Sequence, residues 1–368
     1  MSQGIFYPSG PAAAALNGKT IEIGGRKIGS GQPAFVIAEI SQNHCGELSI
    51  AKELVDAAKE CGCDCAKFQT FTAEEMCADR SKMFTYLSQG KEVTESEFDL
   101  HKRFEFTPDE WAELVAYCAK VDMPFMTTIQ DPPNLQQMLP LGINAIKVGS
   151  DDFDHLPNLD IYARSNLPMI MSKGMANLAE VDKVVRFMRE RTDQLAIMHC
   201  VSVYPTDPAD LNLNQIRTLS SLYPDVVWGF SDHSEGALAS ILAVSTGAKV
   251  IEKHFTLGHD LPGPDHWFSA DPKQMKELVD GVRFAESALG SGDVAPVASE
   301  AVERDIRRRR IIASVDIRRG DTITIENVSF KRAEKGLFVA DWSLVNGAIA
   351  KRDIKDGSGV LLSDLEFL

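Results

Sequence analysis

Two periodicities alternate along the chain from Phe35 onward. Short apolar runs that end in polar residues are each followed by a stretch in which apolar positions recur every three or four residues. The short runs fall at 35–40, 65–71, 124–129, 145–150, 168–172, 195–201, 226–231 and 250–256, eight in all. Helical patterns cover 50–60, 108–120, 178–190, 208–222 and 235–246, and a further helix over 272–289 follows the last run. Strands that alternate with helices build a parallel sheet. Eight such units in about 250 residues fit a closed (β/α)8 barrel. An open doubly wound sheet is the alternative, weakened because no Gly-rich dinucleotide loop follows the first run. Ahead of the pattern, residues 21–28 read as a small hairpin turning at Gly24-Gly25.

The longest insertion, 72–106, follows the second strand. Loops after barrel strands lie on the catalytic face, so this polar segment is a candidate lid or substrate-selecting loop. The barrel rhythm stops near Gly290. A charged stretch, 291–307, reads as a linker, and residues 308–368 as a small β-rich domain with extended runs at 311–315, 322–325, 328–331 and 360–362. The expected fold class is therefore α/β: a (β/α)8 barrel over residues 1–290, followed by that domain.

A barrel places its chemistry at the carboxyl ends of its strands. Here those ends carry Glu39, then Lys67 and Gln69, then Thr127 and Thr128, then Lys147 and Ser150 with Asp151 and Asp152. The remaining four give Ser172 and Lys173; His199, Ser202 and Tyr204; Ser231, Asp232 and His233; Glu252, Lys253, His254 and Thr256. A charge inside a parallel strand is costly, since such strands are buried on both faces. One could be a structural ion pair; Glu39, Lys67, Lys147 and His254 together read as one site. Two lysines with several hydroxyls suit a substrate bearing carboxylate and phosphate. His233 and His254, on adjacent strands, suit a divalent metal with open positions that would polarise a carbonyl. The alternatives are a helix cap beside Asp232 for His233 and a satisfied core imidazole for His254. His44, His199, His259 and His266 read as structural. Pro262-Gly-Pro-Asp265 fixes a rigid turn that presents Asp265.

Composition narrows the partners. Hydrophobic residues make up 44% and charged residues 25%, the balance of a globular protein. A net charge of −15 argues against a general nucleic-acid binder but not against an anionic substrate held by a few lysines in a cleft. No run of 18 apolar residues is present, so no membrane span is expected, and the apolar stretch 11–16 is too short for a signal-peptide core. A cytoplasmic protein is the expectation. The seven cysteines form no disulfide-like framework, and Cys61, Cys63 and Cys65 read as buried thiols rather than metal ligands.

Several segments together resemble the sialic acid synthase family of N-acetylneuraminate, legionaminate and pseudaminate synthases. They are Phe35-Val-Ile-Ala-Glu-Ile-Ser-Gln-Asn-His44, Lys67-Phe-Gln-Thr70, Lys147-Val-Gly-Ser150, Tyr204-Pro-Thr206, Gly229-Phe-Ser-Asp-His233, Glu252-Lys-His-Phe255 and Pro262-Gly-Pro-Asp265. The resemblance runs from about residue 20 to the end. It implies a barrel joined to an antifreeze-like (β-clip) domain in a domain-swapped homodimer. The implied reaction condenses phosphoenolpyruvate with an N-acylated amino sugar such as N-acetylmannosamine and releases phosphate by C–O cleavage, with Mn2+ or another divalent metal. It further implies that His233 and His254 bind the metal and that Lys67, Thr128, Lys147, Ser150, Ser172 and Ser231 hold phosphoenolpyruvate. Gln69, Tyr204 and Asp265 would hold the sugar, Glu39 would handle protons, and Arg332 would reach the acylamino group from the other subunit.

The chain departs from the family pattern at Ser150-Asp151-Asp152, where many relatives have Ser-Gly-Glu. It departs again at Ser172-Lys173-Gly174, at Ser202 and after Arg332. These positions lie near the implied sugar and phosphate sites, and Asp152 and Ser202 are counted among the substrate-binding candidates. The alternatives are a legionaminate or pseudaminate synthase using a diacetamido sugar, and a metal-dependent pyruvate aldolase.

Overall fold

The computed structural model describes residues 19–367; the apolar stretch 11–16 lies outside them. The chain divides into two compact units, 1–290 and 291–368.

In the first unit, β1 (Thr20–Ile23) and β2 (Arg26–Gly29) pair as an antiparallel hairpin. β3 (Phe35–Ser41) and β4 (Cys65–Thr70) open the barrel. A second antiparallel hairpin, β5 (Met83–Ser88) and β6 (Lys91–Ser96), interrupts it. β7 (Phe125–Ile129), β8 (Ala145–Val148), β9 (Met169–Ser172), β10 (Leu195–Cys200), β11 (Val227–Asp232) and β12 (Val250–His254) complete it. All eight barrel strands are parallel, and β12 closes on β3 with His254 beside Glu39. The open-sheet alternative is thus excluded.

Side-chain alternation sorts each strand. Outward residues such as Val36, Ala38, Phe68, Ile146, Ile197 and Ile251 join one large core beneath the helices. Inward residues at the amino ends (Phe35, Ile37, Cys65, Met126, Ala145, Ile170, Met198 and Val250) form a second core, which Ile21, Ile23 and Ile28 of the first hairpin seal from below. Burying each of these three isoleucines contributes about 2 kcal/mol. Two residues further along each strand the inward positions turn polar, and the apolar plug becomes the floor of a polar cavity.

Helices Pro108–Lys120 and Pro272–Leu289 have the expected bounds. Each starts on a capping box with proline in its first turn, Thr107 with Glu110 and Asp271 with Gln274. Two others start late. Asn214–Leu222 follows Asn212, and Leu238–Ser245 follows Gly236, whose positive φ values of 42° and 71° prevent helix in the preceding residues.

The insertion is not a plain loop. Short helices Ala73–Met76 and Glu97–Phe104 flank the β5–β6 hairpin. Its two-residue turn, Gln89-Gly90, has φ of 52° and 73°, the left-handed pair that matches the twist of the strands.

The second unit contains β13 (Arg309–Ala313) paired with β14 (Val328–Arg332), and β15 (Ile349–Ala350) paired with β16 (Leu365–Glu366). Its own core includes Ile311, Ile317, Ile323, Val345, Val360 and Leu365. Two expected strands are absent as strands. Thr322 makes a single bridge to Ile349, and Leu362–Asp364 is a 3-10 turn. A residue in extended conformation with one cross-chain bond satisfies its backbone without a ladder. The expected linker carries helix Glu300–Arg307.

Candidate active site

The inward polar positions meet in a cavity of about 730 Å3 at the carboxyl ends of the strands. Register sets the neighbours: Glu39 lies between Lys67 and His254, Thr128 between Gln69 and Lys147, and Ser231 beside Glu252. The lysines and glutamates are fully buried and arranged as a charge-balanced group. The Lys67 ammonium lies 3.1 Å from Glu39 and 3.0 Å from Glu252, and Lys147 lies 3.8 Å from Glu252. Ser231 donates to Glu252 at 3.0 Å, and Lys147 donates to the Val148 carbonyl at 2.9 Å. Buried charges persist only with such partners.

These surroundings separate the two carboxyls. Burial raises Glu39 to about 7, despite the Lys67 ammonium beside it. Glu252 feels the same desolvation, but Lys147 and Lys67 overcome it and pull its carboxyl down to about 2. Glu252 is thus a fixed anion, whereas Glu39 can give or take a proton near neutrality. Desolvation lowers Lys147. Lys67 rises because its two carboxylates outweigh its burial.

A second line of groups leads from Glu39 to the rim. Gln69 donates to Glu39 at 2.9 Å and to Ser41 at 3.0 Å, and Ser41 donates to Asp265 at 2.6 Å. Burial raises the Asp265 carboxyl. Tyr204 stacks on His233 with ring centres 4.0 Å apart, and Phe268 lies against both Tyr204 and His254.

Hydroxyls line the opposite wall. The hydroxyl oxygens of Ser172 and Ser202 are buried with no hydrogen-bond partner, and Ser150 accepts from the Gly174 amide at 3.1 Å. Gly174 is required by close approach: a Cβ there would lie 2.3 Å from Ser202 Oγ and 2.5 Å from Ser150 Oγ. Unpartnered buried hydroxyls beside ammonium groups suit a bound anion.

The histidine pair fits a metal. Their ring centres are 5.6 Å apart. His233 uses Nδ1 on the Val201 carbonyl at 2.8 Å, which leaves Nε2 bare. Buried Nδ1 of His254 has no hydrogen-bond partner, and Asp265 at 3.7 Å is too far to supply one. Desolvation and His233 hold the His254 imidazole well below its ordinary value, hence neutral and able to ligate. Among the described residues no group of three or more His, Cys, Asp or Glu is clustered as a metal site. Two imidazoles with open positions are what the chain itself offers.

Of the residues singled out from sequence, the cavity brings together Glu39, Lys67, Gln69, Thr128, Lys147, Ser150, Ser172, Ser202, Tyr204, Ser231, His233, His254 and Asp265. Asp152 does not line it; Asp151 does. Arg332 is exposed at the end of β14 in the second unit. Lys173 turns away to Gln215 at 2.6 Å, and His199 turns to the Leu211 carbonyl at 2.6 Å. Asp232 and Lys253 face outward as a buried pair, 3.3 Å apart, and Asp232, not His233, caps the local backbone by accepting from the Ser234 amide. Glu252, named at the end of the eighth strand but given no role from sequence, lines the cavity and engages both lysines. Its signal was parity: it shares an inward face with His254, while Lys253 between them points out.

All seven cysteines are free. The β5–β6 hairpin roofs the cavity with Phe84, Tyr86 and Leu87. It is latched to the turn after β12: Gln89 donates to the Asp260 carbonyl at 2.8 Å, and the Gly263 amide donates to Ser88 at 3.1 Å. Among the described residues no helix is long and apolar enough to cross a membrane.

Residues 54–294 match the NeuB family, and residues 308–366 match the SAF domain. The chain is 35% identical to the N,N'-diacetyllegionaminic acid synthase of Legionella pneumophila, over 92% of this chain and 96% of that one. It is also 35% identical to the N-acetylneuraminate-9-phosphate synthase of Homo sapiens, over 84% and 86%. Among solved structures, the N-acetylneuraminic acid (sialic acid) synthetase of Leptospira borgpetersenii in complex with citrate superposes with a TM-score of 0.70 at 33% identity, over 79% of this chain and 96% of that one.

Proposed function

The chain belongs to the NeuB family and carries a SAF domain, and on that premise we propose that it joins phosphoenolpyruvate to the open-chain form of an N-acylated amino sugar and releases phosphate. The observation that carries this reading is one cavity lined by unpartnered hydroxyls, buried ammonium groups and a histidine pair. The hydroxyls and ammonium groups suit an anion, the histidine pair a carbonyl.

Lys67, Lys147, Thr128, Ser150, Ser172, Ser202 and Ser231 hold phosphoenolpyruvate in this scheme. Gln69, Tyr204 and Asp265 orient the sugar. His233 and His254 hold Mn2+ or another divalent ion, which when bound polarises the sugar aldehyde. The enol carbon forms the new C–C bond to the aldehyde carbon, whose oxygen takes the C=O π electrons and a proton to become a hydroxyl, leaving an oxocarbenium-like centre at the second carbon of the former enolpyruvate. Glu39, with a carboxyl near 7, accepts a proton from the water that adds there. The C–O bond to phosphate then breaks, and phosphate leaves with the electron pair. Glu252 keeps both lysines charged and aimed throughout. The proposed assembly is a domain-swapped homodimer in which Arg332 of one copy serves the acylamino group bound by the other.

The test incubates the purified chain with phosphoenolpyruvate, a divalent metal and a panel of N-acyl amino sugars, with inorganic phosphate and product mass as readouts. Phosphate should appear with a product equal in mass to sugar plus pyruvic acid. Turnover of a diacetamido sugar alone would move the substrate from N-acetylmannosamine to the legionaminate precursor. No phosphate with any sugar, or turnover with pyruvate in place of phosphoenolpyruvate, would sink the reading.

A further inference from the structure

The last residue of β3 breaks the pattern of its strand. Pairing with β4 runs in register to Glu39 opposite Lys67, then slips by one residue, so that Ser41 lies opposite Phe68. Ser41 sits at the slip with φ of 53°, in the left-handed region that glycine enters freely and a residue with a Cβ enters only at a cost. A bulge beside an active site re-aims a side chain. Here that side chain is buried and lines the cavity. Glycine would supply this backbone without strain, yet serine holds it, so the hydroxyl is what needs a reason.

That hydroxyl both accepts and donates. It accepts from Gln69 Nε2 at 3.0 Å and donates to Asp265 Oδ2 at 2.6 Å. The other Nε2 hydrogen of Gln69 goes to Glu39 at 2.9 Å. With both amide hydrogens spent, Gln69 has only Oε1 to offer the cavity it lines, and that oxygen can only accept. The backbone of Asp265 is held by Ser269, whose amide and hydroxyl donate to the Asp265 carbonyl at 3.2 Å and 2.6 Å. Its carboxylate depends on β3 instead: among the described residues Ser41 is the one hydrogen-bond donor to it, and His254 at 3.7 Å is too far. One hydroxyl thus sets two side chains that come from different parts of the barrel mouth.

We propose that Ser41 is a positioning residue, whose hydroxyl fixes the Gln69 amide and the Asp265 carboxylate as a pair of acceptors for N–H and O–H groups of the sugar. The inference rests on the synthase reading above. The test compares Ser41→Gly, which removes the hydroxyl and suits the left-handed backbone, with Ser41→Ala, which removes the hydroxyl alone. Phosphate release is followed with phosphoenolpyruvate, Mn2+ and either N-acetylmannosamine or a diacetamido sugar, whichever the parent turns over better. Both variants should raise KM for the sugar by about tenfold or more, as for a lost hydrogen bond to a charged group, and leave KM for phosphoenolpyruvate within about twofold. Ser41→Gly should melt no lower than Ser41→Ala, since glycine relieves the backbone, so its kinetic loss is not unfolding. Added to Asp265→Ala, Ser41→Gly should raise the sugar KM by less than it does in the parent, because the two changes disable one unit. A parent-like sugar KM in Ser41→Gly overturns the inference and leaves the synthase reading intact. An equal rise in both KM values, or full multiplication of the Ser41 and Asp265 effects, overturns it as well. No turnover by the parent with either sugar refutes the synthase reading itself, and the inference with it.

Discussion

Replacing Glu252 by glutamine keeps the shape of the side chain and removes the one carboxylate that serves both buried lysines. Lys67 keeps Glu39 at 3.1 Å, but Lys147, which has Glu252 as its nearest carboxylate at 3.8 Å, is left without a close counter-charge. An unpaired buried charge costs about 3–5 kcal/mol, a loss in melting temperature on the order of 10 °C for a unit of this size. Part of that cost is avoided if Lys147 releases its proton, which desolvation already favours. Glu39 responds as well, because the Glu252 charge is one of the influences that raise it; with that charge gone its carboxyl should fall. Differential scanning calorimetry and pH–rate profiles of Glu252→Gln check both effects. The melting temperature should drop, and the limb assigned to Glu39 should move to lower pH. A double variant, Glu252→Gln with Lys147→Met, should regain most of the stability and none of the activity, because the charge and its partner leave together. A single variant as stable as the parent, or a double variant no more stable than the single, would refute the view that this cluster is a balanced buried group.

Gly174→Ala should raise KM for phosphoenolpyruvate by about tenfold or more with the fold intact, since the new methyl displaces the Ser202 and Ser150 hydroxyls; initial-rate kinetics and circular dichroism check it. His254→Ala should abolish turnover and weaken divalent-ion binding measured by calorimetry, and wild-type turnover in that variant would remove the metal role. Glu39 keeps its proton in the folded chain up to about 7, while the unfolded group loses it near 4.5. The folded state therefore binds the extra proton between those values, and the parent should lose stability relative to Glu39→Gln as pH rises through that window, as read by denaturant titration at several pH values. Gln89→Ala removes one of the two latches on the roof and should raise KM for the sugar several-fold, with little change in melting temperature.

The barrel was legible because each strand announces itself twice, by an apolar run and by the polar residue that ends it. The cost of a charge inside a buried parallel strand then groups Glu39, Lys67, Lys147 and His254 as one site. Side-chain alternation between Glu252 and His254 adds Glu252 to that surface and turns Lys253 outward, a distinction that two adjacent charges obscure. Asp151 and Asp152 could not be ordered this way, since they lie beyond the end of β8, where a turn rather than a pleat decides direction. The β5–β6 hairpin was hidden for a related reason. Its faces meet a cavity on one side and solvent on the other, so its sequence lacks the apolar stripe of a core strand. In the second unit, strands of two residues joined by single bridges leave too short a period to read.

The isoleucine plug under the barrel has a kinetic consequence. With the amino end plugged by Ile21, Ile23 and Ile28, the described residues leave no passage through the barrel floor, so what reacts there enters and leaves at the carboxyl end. The compound held by the strand-level lysines and hydroxyls must then arrive before the one held by Tyr204 and Asp265, which lie above it. Whatever departs from the floor must wait until the upper occupant has gone. A sealed floor imposes a queue, and initial-rate patterns should show compulsory-order binding, with the deeper substrate first.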